Sequence, residues 1–136
     1  MTEKKERTIK MTDHPPIVIK EDDWPIIAQT RLFDHDGEVE CQANRKSHWR
    51  LTVRQHKDGR VIVYAMYHYS TAFRNERDHA CYAGIAEERS DPEHIVSAIK
   101  RVAELMAEQL HQGNDAVAWD KIGRDCIANL PPVRIE

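Results

Sequence analysis

The sequence predicts an α+β fold, an antiparallel β-meander of about four or five strands with two C-terminal helices packed on one face. Three observations carry that expectation. Residues 47–71 alternate apolar and polar side chains at the strand period on both sides of Lys57-Asp58-Gly59. From Pro92 onward the apolar residues recur at helical spacing instead. Strands come first and helices second, and this segregation separates an α+β chain from one that alternates the two.

The 136 residues provide for one domain and one core, and 40% hydrophobic with 32% charged residues is an ordinary globular balance. Residues 1–23 are expected to be a mobile leader and 24–136 the single α+β domain. Lys, Glu, Asp, Arg and Thr dominate the leader, so little of it can bury enough apolar area to offset ordering entropy. Pro16-Ile17-Val18-Ile19 is the exception, suited to a short edge strand or to extending a sheet on binding a partner.

Trp24 to Phe33 is apolar with partial alternation, and Asp34-His35-Asp36-Gly37 is a turn signal before Glu38-Val39-Glu40-Cys41-Gln42-Ala43, which predicts a first hairpin. The central hairpin follows. Asp58-Gly59 allows a two-residue loop, or a three-residue Lys57-Asp58-Gly59 loop with Gly59 in a bulge. The longer loop is preferred because it sets Val53 opposite Val63, Leu51 opposite Ala65 and Trp49 opposite Tyr67, collecting apolar groups on one face. Arg50, Thr52, Arg54 and His56 then face Met66, Tyr64, Ile62 and Arg60 on the other side, with His48 opposite His68.

A polar link, Arg74 to Asp78, leads to a last strand over Ala80 to Ala86. Ser90-Asp91-Pro92-Glu93 has the spacing of a capping box with proline in the first turn, so a helix starts there. Its stripe of Ile95, Ile99, Val102, Met106 and Leu110 runs to a stop near Gly113. Asn114-Asp115 caps a second helix with Trp119, Ile122, Cys126, Ile127 and Leu130 on one face, and Pro131-Pro132 ends it. Both helices are expected on one side of the sheet, leaving the other open to solvent or to a partner.

A formal charge of −3 is too small to steer the whole chain toward DNA or to imitate it, so any charge argument is local. Cys41, Cys81 and Cys126 lack paired spacing, which predicts reduced thiols and a cytoplasmic protein. The start, MTEKKERTIK, has charge but no apolar block behind it, so neither secretion nor membrane insertion is expected.

Neither a metal nor a cofactor is expected. Histidines stand at 14, 35, 48, 56, 68, 79, 94 and 111 without the spacing of a metal site. His48 with His68 supplies at most two ligands, and Asp34, His35 and Asp36 are explained by turn chemistry. Ser70 and Thr71 near His68 have no acidic orienter, and the five glycines are isolated, so an enzyme is not expected. The distinctive constellation is Arg50, Arg54, Arg60, Tyr64 and His68 on the face away from the helices. Guanidiniums with aromatic rings suit a protein interface, and equally suit single-stranded nucleic acid, whose bases stack on rings while its phosphates meet arginine.

The run WRLTVRQHKDGRVIVYAMYHYSTAF, with IVSAIKRVAEL downstream, resembles small proteins carried on integrative elements, plasmids and phages of proteobacteria. The resemblance spans roughly Ser47 to Leu110 and brings no active-site residue with it. By its genomic context it implies an accessory protein that blocks a host defence, as anti-CRISPR proteins do, by occupying a surface of a larger complex. The expected partner is thus a host protein complex that handles nucleic acid, bound through the arginine and tyrosine face, with direct nucleic-acid binding as the alternative.

Overall fold

The computed structural model describes residues 5–33, 48–69, 79–88, 91–110 and 113–133. Strands β1 (Glu6–Met11) and β2 (His14–Lys20) pair antiparallel, and a 3-10 turn, Glu21–Asp23, leads into the main sheet. Its strands β3 (Ile26–Phe33), β4 (His48–Gln55), β5 (Val61–Tyr69) and β6 (His79–Glu87) pair in chain order as an antiparallel meander. Helices α1 (Pro92–Leu110) and α2 (Gly113–Ala128) follow and pack on one face, so the fold is α+β.

The β4–β5 turn adopts the three-residue loop. His56 donates its backbone N–H to the Arg60 carbonyl at 2.9 Å, Gly59 donates to the His56 carbonyl at 2.9 Å, and Gly59 has φ 104°. That positive angle is where glycine is needed. Val53 consequently lies opposite Val63, Leu51 opposite Ala65, Trp49 opposite Tyr67 and His48 opposite His68. Had the loop been one residue shorter, every side chain of one strand would have changed face.

Alternation turns Leu51, Val53, Val61, Val63 and Ala65 toward the helices, where they are buried against Ile99, Val102 and Met106 of α1 and Trp119, Ile122 and Cys126 of α2. Each buried Val, Leu, Ile or Met side chain among them contributes about 1.5–3 kcal/mol relative to exposure. At the start of α1 the Asp91 carbonyl accepts from His94 at 2.9 Å and from Ile95 at 3.1 Å, with Pro92 opening the first turn. Ser90 lies outside the described residues. The α2 end is closed by Asn129 donating to the Asp125 and Cys126 carbonyls, and Pro131 follows.

One part of the chain differs from the sequence expectation, and another falls partly outside the described residues. β3 pairs with β4, with Arg31 opposite Arg50 and Thr30 opposite Leu51; residues 34–43, where its hairpin partner was expected, lie outside the described residues. Residues 6–20, expected as a leader with one short strand, form a hairpin that lies across the other face of the sheet. Ile9, Ile19 and Ile62 are buried together there, with Met11, Ile17, Trp24 and Tyr64 packed around them. The face expected to be open is therefore covered at its centre. A composition dominated by charge concealed the period-2 placement of Ile9 and Met11 in β1 and of Ile17 and Ile19 in β2.

Gly84 of β6, opposite Tyr64, lets the hairpin approach. A Cβ there would stand 2.7 Å from the Lys10 carbonyl oxygen and 2.9 Å from the Met11 sulfur. With only hydrogen present, the Thr12 N–H donates to the Gly84 carbonyl at 2.9 Å, and the Gly84 N–H donates to the Thr12 hydroxyl at 3.2 Å. Among the described residues no helix is long and apolar enough to cross a membrane.

Candidate functional site

Because Leu51 and Val53 point to the helices, Arg50, Thr52 and Arg54 of β4 point to the hairpin side. Of the five residues expected to act together there, the hairpin and the 3-10 turn engage Arg54 and Tyr64 within the fold. Arg54 is only 6% exposed. Its Nε donates to the Tyr64 hydroxyl at 2.9 Å, its Nη1 donates to the Trp24 carbonyl at 2.9 Å, and its Nη2 lies 3.8 Å from the Glu21 carboxylate. Tyr64 is half-buried and occupied by this bond. Both residues therefore hold the hairpin and the 3-10 turn against the sheet, Arg54 with its guanidinium engaged inside the fold and Tyr64 with part of its ring still facing the cleft beside β1.

Arg60 sits at the β4–β5 turn, where its Nε donates to Asp58 at 2.9 Å and its guanidinium lies 5.1 Å from the Trp24 ring centroid. The backbone N–H of Arg60 holds the Asp58 carboxyl below its usual range, with the Arg60 side chain adding to the effect. His68 is opposite His48 in the backbone register, and its imidazole lies outside the described side chains. Of the expected set, only Arg50 remains half-buried without a carboxylate partner among the described residues.

Arg50 stands directly opposite Arg31 of β3, an arrangement of like charges that destabilises a sheet unless something neutralises it. Burial is the largest influence lowering the Arg50 pKa, followed by the charge of Arg31, with Arg7 and Arg54 acting in the same direction and Tyr64 against it. Arg31, which is exposed, also has no carboxylate partner among the described residues. Among the described residues the Glu21 carboxylate is shared by Arg7, Lys5 and Arg54. The hydrogen bond from Arg7 is the main reason the Glu21 carboxyl is held below its usual range.

Beside Arg50 a cleft of about 300 Å³ runs between β1 and the sheet, lined by Arg7, Lys10, Arg50, Tyr64, Met66 and Tyr82 among others. Tyr82 is 39% exposed, and the Lys10 ammonium lies 4.4 Å from its ring centroid. The sequence reasoning missed Arg7, Lys10, Arg31 and Tyr82. Tyr82 alternates with Ala83, so its outward direction was available from the strand period; Arg31 needed the correct partner strand, and Arg7 and Lys10 needed the hairpin.

Two other places have chemistry of a different kind. Asp91, Glu93 and His94 at the start of α1 offer three ligand atoms within 4.8 Å of one another. The His94 Nδ1 lies 3.3 Å from the Asp91 carboxylate, and acids in a first turn are already favoured by the helix dipole. Cys126 is fully buried, and burial pushes its thiol up to about 12, so it is unreactive in the folded state. No family model, curated protein or solved structure matches the chain.

Proposed function

We propose that the chain is a non-enzymatic cytoplasmic accessory protein of a mobile element that binds a host nucleic-acid-handling complex and inhibits or modulates it, as an anti-CRISPR protein does. The observation that supports this reading is the Arg31–Arg50 pair, two guanidiniums opposed across neighbouring strands without an acid among the described residues. Such a pair costs the isolated fold stability, and an acidic or phosphate-bearing partner offsets that cost. Arg, Tyr and Met around it are residue types over-represented at protein interfaces. The mobile-element context comes from the resemblance of residues 49–73 and 95–105.

The docking surface is thus displaced from Arg54 and Tyr64, which are engaged internally, toward Arg50, Arg31 and the β1 side of the cleft. The test is inhibition of host defence by the full chain carrying Arg31→Glu with Arg50→Glu, set against the unaltered chain at matched abundance. Inhibition is expected to be lost with melting temperature preserved. Full inhibition by the doubly substituted chain would remove this surface from the function.

A further inference from the structure

We infer that the cleft between β1 and the sheet binds a short stretch of single-stranded nucleic acid, with phosphates on Arg31, Arg50 and Lys10 and one base stacked on Tyr82. The inference rests on the proposed function in taking this face as the binding face, and it adds the class of ligand. Among the described residues the charges around the cleft favour an anion, although the chain carries −3 overall. Arg7, Lys10 and Arg50 line the cleft, Arg31 stands opposite Arg50 on the next strand, and among the described residues the Glu21 carboxylate is divided among Arg7, Lys5 and Arg54.

The chemistry of the walls selects among anions. Paired guanidiniums match the planar, two-oxygen edge of a phosphodiester and hold it by parallel hydrogen bonds. Tyr82 supplies a part-exposed aromatic ring next to those cations, and Lys10 already shows that a cation and this ring share the space. An entering base takes the place of the ammonium over the ring and releases Lys10 toward the phosphate. Met66 and Ile9 add apolar lining between the two ends.

Size and shape exclude the duplex. A cleft of about 300 Å³ is at the small end of ligand sites and has room for roughly one nucleotide, not for a base pair. Stacking on Tyr82 requires a base free of its partner. Stacking and phosphate contacts do not depend on base identity, so little sequence preference is expected. An acidic peptide would satisfy the arginines but gains nothing comparable from the ring.

The experiment is fluorescence anisotropy of a labelled oligothymidylate with the full chain, repeated with the matching duplex and with an oligoglutamate peptide as competitor. Single-strand binding is expected to weaken roughly 5- to 100-fold in Tyr82→Ala and to survive in Tyr82→Phe. Replacing Arg31 and Arg50 by glutamine should lower the salt slope by about one for each phosphate that is no longer neutralised. Lys57→Gln, on the β4–β5 turn, should change nothing.

No binding of the single strand at low salt overturns the inference, as does duplex binding that is equally tight and indifferent to Tyr82. Displacement of the oligonucleotide by oligoglutamate at lower concentration would assign the cleft to an acidic protein segment instead. If no oligonucleotide binds while defence inhibition still depends on Arg31 and Arg50, the inference fails and the proposed function stands. If the single strand binds through Tyr82 while inhibition ignores both arginines, the Arg31–Arg50 surface is removed from the proposed function and the ligand assignment stands.

Discussion

Arg50 and Arg54 lie on one strand and point to the same side of the sheet, yet they have opposite roles. Arg54 has a hydroxyl, a carbonyl and a nearby carboxylate around its guanidinium; Arg50 has its pKa lowered first by burial and then by three other guanidiniums. Replacing Arg54 by Met keeps much of its volume but leaves the Trp24 carbonyl and the Tyr64 hydroxyl without their donor. We expect a loss of about 1–3 kcal/mol, measured by urea unfolding. At Arg31 the sign reverses. Arg31→Gln removes like-charge repulsion across β3 and β4 and should raise stability by about 0.2–1 kcal/mol while weakening ligand binding. A destabilised Arg31→Gln chain would show that the pair is neutralised in the free protein and would weaken the case for a site there.

The β1–β2 hairpin decides which sheet-face residues are interior and which are surface. Its seat depends on Gly84, because a methyl group there meets the backbone carbonyl oxygen of Lys10, which cannot rotate away as the Met11 side chain can. Gly84→Ala should therefore cost about 1–3 kcal/mol and speed hydrogen exchange in β1 and β2. Unchanged exchange would mean that the hairpin is seated elsewhere. Acid should loosen the same element. The Glu21 pKa is depressed from its ordinary 4.5 chiefly by Arg7, so its contribution is present above about pH 4.5 and lost as pH falls through the folded value. Hairpin protection factors, corrected for the intrinsic pH dependence of amide exchange, should fall below pH 4.5, and Glu21→Gln should remove that dependence. The sequence predicted the β4–β5 register residue by residue, since its pattern is local and the turn is only three residues long. It did not predict this hairpin, because two short alternating runs lie inside a charged segment, and alternation names a face without naming what covers it. For the same reason Arg50 was legible as a surface arginine, whereas Arg7 and Lys10 were not legible as its neighbours.

At the scale of the whole molecule, one sheet separates two cores of unequal size. The helix side buries Leu51, Val53, Val63, Ile99, Met106, Trp119 and Ile122 among others, while the hairpin side buries Ile9, Ile19 and Ile62. The smaller apolar cluster includes one buried apolar residue of the main sheet among the described residues, Ile62, so the hairpin should open with less free energy than the helices need to leave. Cys126 reports on the larger core because it is fully buried on α2, its thiol is pushed up to about 12, and it lies on the face away from the hairpin. In a chain with Cys41→Ser and Cys81→Ser, alkylation of Cys126 should proceed only as fast as global unfolding allows. Glu21→Gln should quicken exchange across β1 and β2 while leaving the alkylation rate at Cys126 unaltered. Equal acceleration at both places would mean that the two cores unfold as one cooperative unit, and that a ligand seated in the β1 cleft would stabilise the whole fold and not the hairpin alone.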